Sequence, residues 1–174
     1  RGNSRWMTDK PAFRFHPDAY EHQCFEESNE ACAACGRPCV WKYTQHIYAL
    51  PPEPTAICAR CIADGNAAKA VPEGDYGLHD FSFDDEPPEE PACEVEQRTP
   101  GFSTYNPFVW PVRDGAPLAF LGFGGDAGLA GSAKVQAAIA ALARELGAAE
   151  INPGDALIFK ALENDTYVAT LDLD

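Results

Sequence analysis

Cys32-Ala-Ala-Cys35-Gly36 and Cys58-Ala-Arg-Cys61 are the two stretches that decide the fold of the amino-terminal half. Two cysteines three positions apart on a tight turn can direct both sulfurs at one ion, while amides of the turn hydrogen-bond those sulfurs. Four thiolates favour zinc, and a site whose four positions are all filled by cysteine is structural rather than catalytic. The sequence therefore predicts a structural Zn²⁺ site with Cys32, Cys35, Cys58 and Cys61 as ligands.

Other interpretations of these cysteines stay open. Iron is a less favoured occupant of a four-thiolate site. Cys39 is the main rival ligand, and His16 or His22 could replace one cysteine. A redox role for either C-x2-C pair would need a helix that starts after the pair in a βαβ setting, which Pro38 and the strand expected after it disfavour.

The chain shows no feature of export or of membrane insertion. No apolar run approaches the 18 residues of a membrane helix, and the amino terminus lacks the apolar core of a signal peptide. Because Met7 is the only methionine, we interpret residues 1–6 as a remnant of the expression vector. Seven cysteines fit a closed disulfide framework poorly, so we expect the reducing cytoplasm, with Cys24 and Cys93 as isolated thiols.

The charge of the chain is strongly acidic. It has 27 Asp and Glu residues against 13 Lys and Arg residues, and its formal net charge is -14. Residues 72–97 carry many carboxylates and no Lys or Arg. Such a surface disfavours nucleic acid and anionic membranes as partners, because both are bound through basic residues. It suits a basic protein partner.

The pattern of the chain predicts an α+β protein with an amino-terminal zinc-ribbon-like module and a carboxy-terminal unit of antiparallel strands and one main helix. We place the module at 7–71, an acidic, proline-rich linker or loop at 72–97 and the α+β unit at 98–174. Ser132 to Gly147 is the clearest helix, with an N-cap, an apolar stripe and a glycine stop. A short helix is expected over Cys61 to Val71. Strands are expected at 40–50, 79–83, 117–123, 156–162 and 166–174.

Two further features have competing interpretations. The run from Gly122 to Gly128 follows a strand and precedes a helix, as a dinucleotide-binding loop does, but a lone glycine run is weak evidence and we prefer a flexible connection. Four aromatic residues could form an exposed patch or lie in the core, and we prefer the core. They are Trp41, Trp110, Tyr105 and Phe108.

Several stretches resemble the CbrC family of bacterial proteins. The resemblance is carried by Phe13-Arg-Phe-His-Pro17, Cys32 to Gly36, Trp41-Lys-Tyr43, Cys58 to Ala68 and Arg98-Thr-Pro-Gly-Phe102, and it continues to Leu171-Asp-Leu-Asp174. The resemblance implies a cytoplasmic bacterial protein with two zinc knuckles, no established enzymatic activity and a link to colicin tolerance.

The chain departs from that family at a second group of positions. The resemblance implies a further C-x3-C and a C-x2-C in the final hairpin, where this chain has Asp114, Leu118, Ala161 and Asn164. All four differ from cysteine together, which is what the loss of a whole second metal site would look like. We therefore expect the carboxy-terminal unit to be stabilised by its apolar core alone.

These observations favour a non-enzymatic, zinc-binding adaptor or tolerance protein that binds a basic protein. In its sharpest form it is an immunity protein that neutralises a bacterial toxin, for example a nuclease, by presenting carboxylates where phosphates would bind. One alternative is a nucleotide-binding enzyme that uses the loop from Gly122 to Gly128. Another is a zinc-ribbon transcription accessory, which would need Arg37, Lys42 and Arg60 on one face.

Overall fold

A computed structural model describes residues 10–71, 76–105 and 107–172. The chain forms two compact units that alternate along the sequence. Of the described residues, unit 1 contains 10–13, 19–71, 76–79 and 93–103, and unit 2 contains 14–18, 80–92, 104–105 and 107–172. The interpretation of residues 1–6 as a vector remnant falls outside the described residues. The predicted module boundaries at 71 and 97 stay predictions about which segments fold independently.

Unit 1 is built on an antiparallel hairpin of β1 (Phe25–Ala31) and β2 (Pro38–Tyr43). The strand expected over 40–50 therefore ends at Tyr43. The sequence did not indicate β1, because its residues are mostly polar and exposed and lack the alternation of a half-buried strand. Its pairing with β2 shifts register between Ser28 and Ala31, as at a β-bulge.

The helix expected over Cys61 to Val71 is two shorter elements. Helix α1 spans Ala59–Ala63, and a 3-10 helix spans Asn66–Ala70. Gly65 lies between them in the left-handed region. The helix therefore begins two residues before Cys61 and stops far short of Val71.

The core of unit 1 combines aromatic side chains with cysteines. Phe13, Tyr20, Phe25 and Tyr43 form a chain of ring contacts with centroids 4.9 to 6.2 Å apart. The thiols of Cys32, Cys58 and Cys61 are buried in the same cluster as these rings. Unit 1 therefore has little regular secondary structure around a core in which sulfur has a large share.

The segment predicted as a linker or loop contains regular structure. Strand β3 (Phe81–Phe83) agrees with the short strand expected there, but a helix, α2 (Glu89–Arg98), occupies its second half. The linker or loop expected here is therefore partly helical, and Pro91 is tolerated because it lies in the first turn, where its missing N–H costs no helical hydrogen bond. Glu89 and Glu90 also favour the positive end of the helix dipole.

The described part of unit 2 contains three small sheets. Strand β3 pairs in parallel with β4 (Phe108–Trp110), and β5 (Val112–Arg113) forms a hairpin with β6 (Ala116–Pro117). The main sheet is antiparallel, in the order β7 (Ala119–Phe123), β8 (Ala156–Lys160) and β9 (Tyr167–Leu171). A 3-10 turn (Pro153–Asp155) leads into β8. The main sheet confirms the antiparallel unit predicted from the sequence, and β7 and β8 are each two residues shorter than expected. Residues 173–174 of the last predicted strand lie outside the described residues.

Helix α3 (Ala133–Leu146) covers one face of the main sheet. Ser132 caps it through a hydrogen bond from the Val135 amide, and Gly147 ends it with φ +66°, so both predicted ends are confirmed. Val135, Ile139 and Leu142 pack against β8 and β9.

The other face of the main sheet is covered by aromatic side chains of unit 2. The ring of Phe159 lies 5.4 Å from that of Trp110 and 5.6 Å from that of Phe120. Phe108 and Trp110 are buried, which favours the core interpretation of these two residues, while Tyr105 is exposed. None of the described helices is long and apolar enough to cross a membrane.

Candidate metal centre

The structure brings four cysteine sulfurs of unit 1 together. The Sγ atoms of Cys32, Cys35, Cys58 and Cys61, called here the four-cysteine cluster, all lie within 4.8 Å of one another. The first pair lies on the turn between β1 and β2, and the second pair lies at the start of α1. It is the one group of three or more metal-ligating side chains that the described residues contain.

The first pair is held by a tight turn. The Gly36 amide donates to the Cys32 carbonyl at 2.7 Å, and the Cys32 amide donates to the Arg37 carbonyl at 2.8 Å. Gly36 adopts φ +72°, a conformation that costs a residue with a side chain about 1 kcal/mol or more. The glycine after the second cysteine therefore allows the chain to reverse and continue as β2.

The second pair is placed by the start of a helix. Cys58 is the N-cap of α1 with extended backbone angles, and Cys61 lies in the first turn of that helix. The Tyr43 amide donates to the Ile57 carbonyl at 2.8 Å, and Lys42 forms a β-bridge with Cys58. The end of β2 thus fixes the second pair directly beside the first.

The separation of the sulfurs suits a tetrahedral metal ion. A zinc–sulfur bond of about 2.3 Å places the corners of a tetrahedron about 3.8 Å apart. Cys35 Sγ and Cys58 Sγ are 4.0 Å apart, so only a small contraction would be needed to ligate one ion. Cys32, Cys58 and Cys61 are buried and Cys35 is half-buried. The donor set is therefore four soft ligands in a closed setting.

Backbone amides around the cluster favour thiolate at Cys32. Burial raises the pKa of this thiol, but hydrogen bonds from the amides of Cys58, Cys35 and Ala34 outweigh burial and lower the pKa to about 7. Burial raises the pKa of Cys58 to about 11, although the Cys61 amide opposes that shift. N–H groups directed at sulfur are the arrangement that stabilises metal-bound thiolates.

The rival ligands lie outside the four-cysteine cluster. Cys39 is buried nearby, and burial raises the pKa of its thiol to about 12, with the neighbouring cysteines as a further cause. His16 is buried in unit 2, where its ring meets Phe120 edge-on at 5.2 Å. His22 is not part of the cluster either.

The two cysteines expected to be isolated thiols also lie outside the four-cysteine cluster. Cys24 donates to the Gly101 carbonyl at 3.1 Å, and Cys93 donates to Gln97 Oε1 at 3.7 Å.

Two arginines lie close to the cluster. Arg37 and Arg60 line a cavity of about 60 Å³ together with Cys35, Cys39 and Cys58. A divalent ion held by four thiolates gives the site a net charge of about -2, which the guanidinium groups of these two arginines would offset. Lys42 does not join them, because its ammonium group contacts Glu26 at 2.9 Å and Glu30 at 2.7 Å. The basic ribbon face that a nucleic-acid role requires is therefore interrupted by paired carboxylates.

The four positions implied for a second metal site also meet in space. Asp114, Leu118, Ala161 and Asn164 all line one cavity of about 310 Å³ in unit 2. Two hairpins bring them there, and the first turns through Asp114-Gly115 with positive φ at both residues, as a type I′ turn requires. This Asp-Gly pair was the available signal for the β5–β6 hairpin. The cavity of this chain offers no sulfur ligand.

The glycine run between β7 and α3 is hydrogen-bonded within unit 2. The Phe123 amide donates to Asp126 Oδ2 at 2.8 Å, and the Gly124 amide donates to the Ala156 carbonyl at 2.9 Å. A Cβ at Gly124 would lie 2.6 Å from Ile139 Cδ1 and 3.0 Å from the Pro153 carbonyl oxygen, so close packing favours glycine here. A phosphate bound here would face the Asp126 carboxylate and two amides that already donate hydrogen bonds. This favours the interpretation of the glycine run as a connection between β7 and α3.

Comparison with known proteins places the chain in a family. The profile of the family described as "Uncharacterised protein family (UPF0167)" matches residues 10–166. The chain belongs to UPF0167. Among the relatives, the UPF0167 proteins Mb2317 of Mycobacterium bovis and MT2352 of Mycobacterium tuberculosis are each 34% identical to this UPF0167 chain over 112 residues. UPF0167 protein PA1536 of Pseudomonas aeruginosa is 34% identical over 121 residues.

These matches cover part of each protein. They take in 64% of this chain and 59% of each mycobacterial relative, and 66% of this chain and 64% of the Pseudomonas relative. No solved structure matches this UPF0167 chain. The names of the relatives state neither an activity nor a bound metal.

Proposed function

We propose that the four-cysteine cluster holds one structural Zn²⁺ ion and that this UPF0167 protein is a non-enzymatic adaptor for a basic protein partner. The observation that carries the proposal is the meeting of four sulfurs, each within 4.8 Å of the others. A structural zinc ion supplies on the order of 10 kcal/mol or more to the folding of a small module. Unit 1, with its short strands and helices, is the kind of module that depends on such an ion.

The donor set supports a structural role in preference to a catalytic one. A catalytic zinc keeps one position for water or substrate, whereas four cysteines leave none. The redox alternative is not favoured, because the four sulfurs meet as a single ligand set and the first pair lies on the turn of an antiparallel hairpin, not in a βαβ setting.

The charge of the surface supports a basic partner. Glu26, Glu27 and Glu30 are exposed on β1, and residues 84–86 and 89–90 add exposed carboxylates in unit 2. Complementary charge accelerates encounter between two proteins and makes the association rate fall as salt rises. A cationic toxin that binds nucleic acid presents such a partner surface.

The finer form of the proposal is a CbrC-type tolerance protein, acting as an immunity protein against a toxin in the cytoplasm. Its support is the resemblance carried by the Cys58 to Ala68 stretch together with the acidic surface. A reducing compartment keeps thiols free of disulfides and available to metal.

Metal analysis tests the first half of the proposal. Protein purified without chelator is expected to contain one zinc ion per chain by native mass spectrometry, and Cys58→Ser is expected to lose it. The matched control is Cys93→Ser, which removes a thiol outside the cluster and is expected to keep the ion. Protein that contains no transition metal would overturn the proposal.

Affinity capture tests the second half. The protein is expected to retain a basic protein from a bacterial lysate at low salt and to release it at about 1 M salt. A variant with Glu26, Glu27 and Glu30 changed to glutamine is expected to capture less of it. Failure to recover any basic protein at low salt would contradict the adaptor role while leaving the zinc site intact.

A further inference from the structure

The 310 Å³ cavity of unit 2 has the features of a small-molecule site. Its volume falls at the lower end of the range for ligand pockets, roughly 300 to 1,000 Å³. Phe15, Pro91, Pro117, Leu118 and Leu162 give it apolar walls. Phe15 and Leu118 are each 1% exposed, whereas Leu162 is 39% exposed. The cavity therefore combines buried apolar side chains with an accessible apolar rim.

One arginine of this cavity is held in a fixed position. Arg113 Nη1 donates to Asp84 Oδ2 and to the Val112 carbonyl, both at 2.7 Å. Asp84 is itself fixed, because its Oδ1 accepts from the Val112 amide at 2.7 Å. One carboxylate oxygen and one carbonyl thus anchor a single guanidinium nitrogen, while the second carboxylate oxygen holds Asp84 to the backbone. The Arg113 side chain is 41% exposed and lines the cavity.

The remaining donors of Arg113 are unused within the described residues. Its Nε and Nη2 atoms make no hydrogen bond there, which leaves the edge of the guanidinium that pairs with a carboxylate in two-point fashion. Asn164 adds a second donor, because its Oδ1 accepts from the Thr166 amide at 2.9 Å and its NH₂ group is left for another partner. The guanidinium edge of Arg113 and the NH₂ group of Asn164 can therefore both donate to an acceptor of a ligand.

We propose that this cavity binds a small organic carboxylate with an apolar body, its carboxylate on Arg113 and Asn164 and its body against the accessible apolar surface of Leu162 and Pro91. Asp114 and Glu163 also line the cavity, but they are exposed residues of the two turns, where water screens their charge. The other large cavity of the described residues differs from it in chemistry. The cavity of about 390 Å³ in unit 1 is lined by Lys42, whose ammonium is already paired with two carboxylates.

Titration of the whole chain with three matched probes tests the inference. Phenylpropanoate is expected to shift amide NMR signals in a saturable way at Gly115, Leu118 and Thr166. Phenylpropanamide, which has the same body without charge, is expected to bind roughly tenfold more weakly. Phenylpropylamine is expected not to bind. Equal binding of acid and amide, tighter binding of the amine, or shifts confined to other residues would each overturn the proposal.

Three variants sharpen the test. Arg113→Gln is expected to weaken phenylpropanoate binding roughly tenfold or more. Arg144→Gln removes an exposed arginine of α3 outside the cavity and is expected to leave binding unchanged. Ala161→Leu keeps every charge and fills space, so it is expected to abolish binding. Thermal melting of each variant verifies its fold, and the three-probe comparison on the unaltered chain decides the matter if a variant does not fold.

Discussion

Unit 1 and unit 2 reach a stable core by different means. In unit 2 an amphipathic helix covers a three-stranded sheet, and Val135, Ile139 and Ile158 meet between them. In unit 1 the regular elements are short, and the buried thiols of Cys32, Cys58 and Cys61 take places that aliphatic side chains fill in unit 2. We therefore expect unit 1 to depend on a bound ion and unit 2 to depend on apolar burial.

Removal of the metal is expected to have the largest effect and to separate the two units. Chelation at neutral pH should abolish protection from hydrogen exchange over 32–62, because a structural zinc ion supplies on the order of 10 kcal/mol or more. Protection over 119–171 should persist, since no cluster ligand lies there. Hydrogen-exchange mass spectrometry measures both regions in one sample. Loss of protection to the same extent in both would show that the contrast between the units is mistaken.

A cavity in the core of unit 2 is expected to have the next largest effect. Ile158 is a fully buried residue of β8 on the face of the sheet that α3 covers. Ile158→Ala should therefore lower the free energy of unfolding by about 3 kcal/mol. Zinc content should not change. Leu146→Ala is the control, because Leu146 is 52% exposed at the end of α3 and should cost well under about 1 kcal/mol. Denaturant titration gives the free energies, and a loss of zinc from Ile158→Ala would contradict the distinction.

Two glycines allow the same backbone change to be made in each unit. Gly36 and Gly147 have φ of +72° and +66°, and a Cβ at either would meet no atom within 4 Å. Alanine should therefore cost about 1 kcal/mol at both, from backbone conformation alone. In Gly147→Ala the cost should reduce the free energy of unfolding. In Gly36→Ala it should reduce zinc affinity, by roughly fivefold, as a competing chelator measures.

A third glycine supplies the control for this pair. Gly131 lacks a positive φ and also has no atom within 4 Å of a Cβ, so Gly131→Ala should be neutral or slightly stabilising. A cost at Gly131 equal to that at the other two would mean that the effect is not conformational.

The sequence predicted unit 2 well because local signals and the final packing agree there. Three signals predict the same helix: the N-cap residue Ser132, the apolar stripe from Val135 to Leu146 and the stop at Gly147. The alternation after Thr166 predicts a strand. The metal site could also be predicted from the sequence, since a C-x2-C spacing allows both sulfurs of a pair to reach one ion. Each C-x2-C pair and each helix or strand signal is encoded within a short stretch of sequence.

The missed elements depend on partners that are distant in sequence or on details of position. Strand β1 has few apolar residues, and its pairing with β2 holds it in the fold. Helix α2 forms despite three nearby prolines because they fall before it or in its first turn. The meeting of Asp114 with Asn164 in one cavity required two hairpins to be placed in three dimensions. Propensity within a short window cannot supply such information.

The ion pair between Lys134 and Asp165 is expected to contribute least to the stability of unit 2. The ammonium group of Lys134 hydrogen-bonds Asp165 and lowers the pKa of that carboxyl, and both side chains are exposed. A carboxylate whose pKa is lower in the folded state stabilises above its unfolded pKa, and that stabilisation is lost as pH falls through the folded value. Asp165→Asn should therefore lower the melting temperature slightly at neutral pH and low salt, with no difference at about 1 M salt, where exposed charges are screened. A large drop that persists at high salt would mean that the turn at Asp165 is stabilised by its backbone geometry and not by the charge of Lys134.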